Sequence, residues 1–133
     1  MDWIQQAVRE FGETLDIADL QFDAGEGLEL ALDSGEIVGV ACSLELALQE
    51  MLVYVSAPLE FDPLPQMALA LQFGNARHGA APWPQAAIVG NRLVLAIRLA
   101  AREFDLPALD EAVWRLVDMQ HEAAAARYID PKS

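Results

Sequence analysis

The stretch "EMLVYVSAPLEF", residues 50–61, is apolar in both phases of a two-residue period. As a strand it sends Met51, Val53 and Val55 to one side and Leu52 and Tyr54 to the other. Strands of small antiparallel sheets usually keep one face wet. The fold that holds this strand must therefore find cover for a second apolar face. That demand constrains the chain more than any other local feature, and the rest of the sequence can be searched for what supplies the cover.

Before this strand, the apolar period changes from helical to extended. Trp3, Ile4, Ala7, Val8, Phe11 and Leu15 follow the i, i+3/i+4, i+7 spacing of an amphipathic helix. Asp2 is placed to cap it, and Gly12 weakens its end. The acidic connector "DIADLQFDAGEG" follows. In "GLELALD", Leu28, Leu30 and Leu32 then alternate with Glu29, Ala31 and Asp33, the pattern of a half-buried strand. "DSGE" is a turn and "IVGVACS" a second strand. The segment "LELALQE" is open between a continued strand, a long hairpin loop and a single helical turn.

Beyond the strand, "FDPLPQMALALQFGN" reads as a short helix with Asp62 at its cap, Pro63 in its first turn and Gly74-Asn75 at its stop. "ARHGAAPWP" is a loop. "QAAIVGNRLVLAIRLA" is a hairpin about Gly90-Asn91, with Leu93, Leu95, Ile97 and Leu99 on one face. A long helix closes the chain from about Pro107 to Tyr128, capped by Asp105, with Leu109, Ala112, Val113, Leu116, Val117 and Gln120 in one stripe. The order is α-β-β-β-α-β-β-α. With 133 residues and 54% hydrophobic composition, this is one α+β domain, a twisted antiparallel sheet packed by helices over residues 1–133, with the last few residues disordered.

Charge divides the chain. Residues 1–62 hold fourteen carboxylates and one base, Arg9, whereas residues 63–133 hold seven of each sign. No carboxylate occurs between Asp62 and Glu103, a stretch that carries Arg77, Arg92, Arg98 and Arg102. A net charge of −13 opposes binding to nucleic acid and to anionic lipid. It also makes two copies repel unless they meet through the carboxylate-free segment. The start of the chain lacks the basic and apolar regions of a signal peptide, and no apolar run is long enough to span a bilayer, so the expected location is the cytoplasm.

The residues that usually carry chemistry are sparse. Cys42 is the sole cysteine, which rules out an internal disulfide and a cysteine zinc site, and its strand context suits a small buried hydrophobe. His78 lies in the Gly/Pro loop. His121 precedes Glu122 on the last helix without the second histidine of a zinc-protease motif; both read as surface histidines. "GEG" at 25–27 precedes a strand, not the helix of a dinucleotide loop. The carboxylates of the first half lack the order of a calcium loop and read as a solvated face. Neither catalytic residues nor a metal or cofactor site is expected. Trp83, between two prolines, is a candidate contact residue, set against simple local packing.

The pattern as a whole resembles the class I type III secretion chaperones, the Tir-chaperone-like family. The resemblance runs from about Asp2 to Tyr128. It is carried by the first helix and the "L-x-L-x-L-D-x-G-E" hairpin, by "YVSAPLEFDPLPQMALALQFGN", and by "GNRLVLAIRLAAREFDLPALDEAVWRLVDMQHEAAAARY". It implies a bacterial cytoplasmic homodimer that binds the unfolded N-terminal segment of a secreted effector, keeps it secretion-competent and hydrolyses no nucleotide. It also implies a dimer contact through the short helix and its neighbouring strand. The residues concerned are Leu64, Met67, Ala68, Leu71, Phe73, Trp83 and Ile88. This agrees with the residues themselves, because a short helix with Leu64, Met67, Leu69, Leu71 and Phe73 on most of its sides is hard to bury within one domain. On this reading the short helix and its dimer mate cover the second face of the third strand. The effector is expected on the first helix and first strands, at Trp3, Ile4, Val8, Phe11, Leu28, Leu30, Leu32, Val38 and Val40. Two rivals stand beside it. One is an adaptor for a folded cytosolic partner. The other is a ligand-binding hot-dog-like dimer, which wants a longer central helix than this chain offers.

Overall fold

The structure is a computed structural model and describes residues 2–22, 27–43, 50–73 and 84–126. Helix α1 spans Asp2–Thr14 and α2 spans Pro63–Phe73; α3, Leu106–Ala125, follows a single 3-10 turn at Ala101–Glu103. Five strands, β1 (Leu28–Ala31), β2 (Ile37–Ser43), β3 (Glu50–Pro58), β4 (Gln85–Val89) and β5 (Arg92–Ala100), form one antiparallel sheet in the order β1-β2-β3-β5-β4. The α-β-β-β-α-β-β-α order expected from hydrophobic period is the observed one. The segments "LELALQ" (44–49) and 76–83 of the proline-rich loop, with His78 and Trp83, lie outside the described residues, as do Gly74-Asn75 and residues 127–133.

The two-residue alternation of β3 is realised in its burial. Met51, Val53, Val55 and Ala57 are buried, and Leu52 and Tyr54 are half-buried on the opposite face. The buried set lies in register with Val38 and Val40 of β2 and with Leu93, Leu95 and Ile97 of β5. Helix α3 rests on this face of β3 and β5 through Leu109, Val113, Leu116 and Val117. Helix α1 packs against α3 with Ile4, Ala7, Val8 and Phe11 inward, the stripe its spacing predicts.

Helix starts and links follow side-chain chemistry. Asp105 caps α3 by accepting the Ala108 N–H at 2.9 Å, and Pro107 sits in the first turn, where its missing donor costs nothing. Helix α1 begins at Asp2 itself, so Asp2 lies within the helix and not at the cap expected of it. A Cβ on Gly12 would come within 2.9 Å of Leu20, so glycine here allows the connector to fold back against the helix. Gln5 then straps that connector: its Oε1 accepts the Phe22 N–H at 3.0 Å and its Nε2 donates to the Phe22 carbonyl. A single side-chain amide thereby takes both backbone groups of Phe22, as a neighbouring strand would.

The position of α2 corrects one expectation. The sequence reading puts α2 on the far face of β3; the structure puts it on the same face as the other helices. Ala70 joins the common core, and α2 packs on α3 and β4. The cause is the short link from β3. Buried Gln66 accepts the Glu60 N–H at 2.8 Å and donates to the Pro58 carbonyl at 3.3 Å, while the Leu59 N–H donates to the Asn91 carbonyl at 3.0 Å. These bonds turn the chain back at the end of β3 and hold α2 beside β4. Among the described residues, the far face has no helix over it. Its apolar side chains shield one another instead: Tyr54 spans Gly39 and donates to Glu29 Oε2 at 2.7 Å, flanked by half-buried Leu52, Val94 and Ala96.

Candidate functional site

Helix α2 is apolar nearly all round, and its orientation decides what it offers. The side facing the core carries Pro65, Gln66 and Ala70. Leu64 and Leu71 face solvent, 58% and 69% exposed, with Ala68 also exposed between them. The two leucines and Ala68 follow i, i+4, i+7 spacing and form one stripe along the helix. A glutamine is inside because its amide satisfies two backbone groups of the turn; the leucines are outside because the short link leaves that side uncovered.

Strand β4 continues the same surface. It is an edge strand, and its Ile88, beside Leu93 on the α2 side of the sheet, is exposed. Between α2 and β4 lies an apolar cleft of about 160 Å³ lined by Met67, Ala70, Leu71, Ala86, Ile88 and Leu93. Of the residues expected at a self-contact, Leu64, Met67, Ala68, Leu71 and Ile88 share this surface. Phe73 is half-buried and packs on the core, and Trp83 lies outside the described residues. Phe61, just before α2, is fully exposed and was not among the residues singled out. Its signal is visible in retrospect: it follows Pro58 and Glu60, past the end of the strand, so it has no partner strand to lie against.

The second expected surface is reduced by the structure. Ile4, Val8, Phe11, Val38 and Val40 are between 0% and 2% exposed and belong to the core. The expectation that they receive a client is corrected: α3 and the sheet already occupy the space around them, so they present no surface. Trp3 remains 48% exposed, held by its indole N–H to the Ala101 carbonyl at 3.0 Å. Leu28, Leu30 and Leu32 are half-buried along edge strand β1 and just beyond it. Exposed Glu13, Asp16, Asp19, Glu29 and Asp33 belong to the same part of the chain.

The polar groups serve architecture. Glu36, buried in the β1–β2 turn, accepts from the Ser34 hydroxyl and pairs with His121 Nε2 of α3 at 2.5 Å. Burial opposes its charge, but the hydrogen bonds from Ser34, its own backbone N–H and His121 outweigh that and hold the carboxyl below its ordinary value. Arg92 holds the same turn from β5, donating to the Gly35 carbonyl at 3.0 Å and to Ser56 Oγ at 3.0 Å. The Tyr54 phenol is pushed up to about 12 by burial first and then by the Glu29 carboxylate that accepts its hydrogen bond. Cys42 is half-buried against the core. Among the described residues no cluster of three His, Cys, Asp or Glu could hold a metal ion, and no helix is long and apolar enough to cross a membrane.

No protein-family model matches the chain, and no curated protein matches it. Solved structures do. The chain is similar to a chain of the HopA1–SchA chaperone–effector complex, at 16% identity over 93% of this chain and 94% of that one, with a TM-score of 0.69. It is similar to a chain in the structure of the Yersinia pestis type III secretion chaperone SycH with a stable fragment of YscM2. There the identity is 16%, over 93% and 99% of the two chains, with a TM-score of 0.65. A chain of the ExsC–ExsE complex aligns at 14% identity over 91% and 90%, with a TM-score of 0.67. Nearly whole chains superpose at this low identity, so what is shared is the arrangement of helices and strands. The chain has the α+β fold of the chains in these structures.

Proposed function

We propose that this chain is a cytoplasmic bacterial chaperone of type III secretion. It binds the unfolded N-terminal segment of a secreted effector, keeps it soluble and competent for export, and acts as a homodimer without catalysis or cofactor. The observation that carries this reading is the superposition of 93% of the chain on chains from chaperone–effector structures. The molecule's own surfaces support it. The self-contact is assigned to the α2–β4 surface, where exposed leucines and an apolar cleft lie within a segment that has no carboxylate. The client is assigned to Trp3 and to Leu28, Leu30 and Leu32 along β1, whose outer edge has no partner among the described strands.

Edge strand β1 offers backbone groups for an added strand, and its half-buried leucines offer apolar anchorage. Fully burying one Leu or Val contributes roughly 1.5–3 kcal/mol. Ordering a disordered client costs on the order of 2–5 kcal/mol or more. A few anchors together with backbone pairing are thus enough to hold a segment that stays non-globular. The test is capture of partners by the tagged chain from its native cell, followed by limited proteolysis and mass spectrometry. A secreted protein protected over a stretch of its N-terminal region, and otherwise unfolded there, is the expected result. A partner that is folded throughout would overturn the reading in favour of an adaptor.

A further inference from the structure

The register of β1 fixes what its open edge presents. The Leu32 N–H donates to the Glu36 carbonyl at 2.8 Å, and the pairs Leu30–Val38 and Leu28–Val40 follow at two-residue steps. In an antiparallel ladder the residues of such pairs turn their backbone groups toward each other, and the residues between them turn theirs away. Glu29 and Ala31 therefore present their N–H and C=O groups at the outer edge. The side chains divide in the same way. Leu28 and Leu30, opposite buried Val40 and Val38, lie half-buried on the helix side of the sheet. Glu29 and Ala31 are exposed on the far face, and Asp33 is exposed just past the strand. The Tyr54 hydroxyl donates to Glu29 Oε2 at 2.7 Å, which orients the carboxylate and leaves it further acceptor positions.

We infer that the client segment seated on β1 alternates apolar with basic residues: its lysines or arginines align with Glu29 on the far face, and its apolar residues with the leucines on the helix side. The pattern rests on the client and the β1 seat of the proposed function, and adds to them which residues the seat accepts. Open edge strands are commonly guarded by charge. Here the guard is negative, and Arg9 is the one base among residues 1–62. Such a guard discriminates by sign. Like charges directly opposite each other in a ladder destabilise it, and opposite charges stabilise it. A second copy pairing at this edge would bring Glu29 and Asp33 against the same carboxylates, so the edge rejects it. An acidic strand is rejected for the same reason, and a wholly apolar one gains nothing at Glu29. A strand with a base opposite Glu29 gains an ion pair beside its backbone bonds. The two-residue period then sets its apolar side chains against Leu28 and Leu30 in the same register.

Two short unstructured peptides test this on the full chain, one alternating valine with lysine and the other valine with glutamate. Fluorescence anisotropy gives their affinities at physiological ionic strength, where charges more than about 8 Å apart are largely screened. Amide hydrogen exchange, read by NMR, locates the bound peptide. The valine–lysine peptide is expected to bind about tenfold more tightly and to slow exchange at the Glu29 and Ala31 amides. Glu29→Lys should abolish that preference. Glu111→Lys, the same charge change at an exposed position of α3, should leave it in place. The peptide comparison and the exchange are made on the unaltered chain, so they stand even where Glu29→Lys, which removes the Tyr54 bond, lowers stability. Equal affinities with protection at Glu29 and Ala31, or a preference that Glu111→Lys lowers as far as Glu29→Lys does, overturns the residue pattern and leaves β1 as the client's seat. Protection at other amides only, or binding of neither peptide, overturns both.

Discussion

The Tyr54 ring occupies the space that a side chain at Gly39 would need: a Cβ built there would stand 1.9 Å from Tyr54 Cζ. Glycine on β2 lets the ring cross the far face of the sheet and reach Glu29 on β1. Gly39→Ala is expected to displace the ring, break the bond to Glu29 and destabilise the fold by about 1–3 kcal/mol. Tyr54 should then titrate nearer its ordinary 10.0 than about 12. Tyrosinate absorbance against pH, read in a Tyr128→Phe background, checks this; an unmoved titration would show that the ring does not depend on the glycine. The sign also fixes the alkaline behaviour of the unaltered chain. A proton held more tightly in the folded state stabilises it below the ordinary value, and that stability is lost as pH rises through about 12.

Glu36 ties the edge hairpin to α3 through His121. Its carboxyl is held below 4.5 in the folded chain, so its contribution is present above that value and is lost as pH falls through the lower, folded value. Glu36→Gln should cost about 1–3 kcal/mol at neutral pH and flatten the acid limb of stability. Urea midpoints measured from neutral to strongly acid pH test this. Parallel curves for the two proteins would remove Glu36 from the acid response.

Gln120 enters the core from α3 and donates to the Val55 and Leu93 carbonyls at 2.7 and 2.9 Å, while its Oε1 is buried without a partner. Gln120→Glu would aim a charge at two carbonyl oxygens. A loss of about 3–5 kcal/mol at neutral pH is expected. It should be partly recovered in acid, because burial raises a carboxyl and protonation restores a donor. Gln120→Met, which removes both the donors and the orphan oxygen, should cost less than Gln120→Glu. Chemical denaturation of both variants decides the order.

Leu71→Glu and Met67→Glu place a charge on the α2–β4 surface. Leu71 is 69% exposed, so its replacement should leave the fold and thermal midpoint nearly unchanged while converting dimers to monomers. Light scattering on the purified variant reads this directly. Dimers of undiminished affinity would remove α2 from the self-contact.

Trp3→Ala tests the client surface independently of the dimer. With the client segment identified by capture, affinity should fall about tenfold, the scale of a buried tryptophan anchor, with molecular mass unchanged. Titration calorimetry measures it. Equal affinity would move the client away from α1.

Much of this fold is written in local pattern. The 3.6-residue stripe of Ile4, Val8 and Phe11, the alternation of Leu28 and Leu30, the Gly90-Asn91 turn and the Asp105–Pro107 helix start each depend on neighbours within a few residues. Each matches the element observed. The same stripes mislead about the site. A residue whose spacing marks it as apolar-facing is, for that reason, a residue the core takes first, which is why Ile4, Val8, Phe11, Val38 and Val40 are inside.

Sequence by itself determined the order of elements, the half-and-half division of charge and the surplus of apolar residues around α2, because these follow from residue type and period alone. Tertiary structure decided which side of the sheet α2 lies on, that Gln66 rather than a leucine turns inward, and that Leu64 and Leu71 stay exposed on the surface that holds the apolar cleft. Those outcomes depend on backbone groups at Pro58, Glu60 and Asn91 finding their hydrogen-bond partners. Gln66 turns inward because one amide meets two backbone groups of that turn at once, which a leucine cannot do.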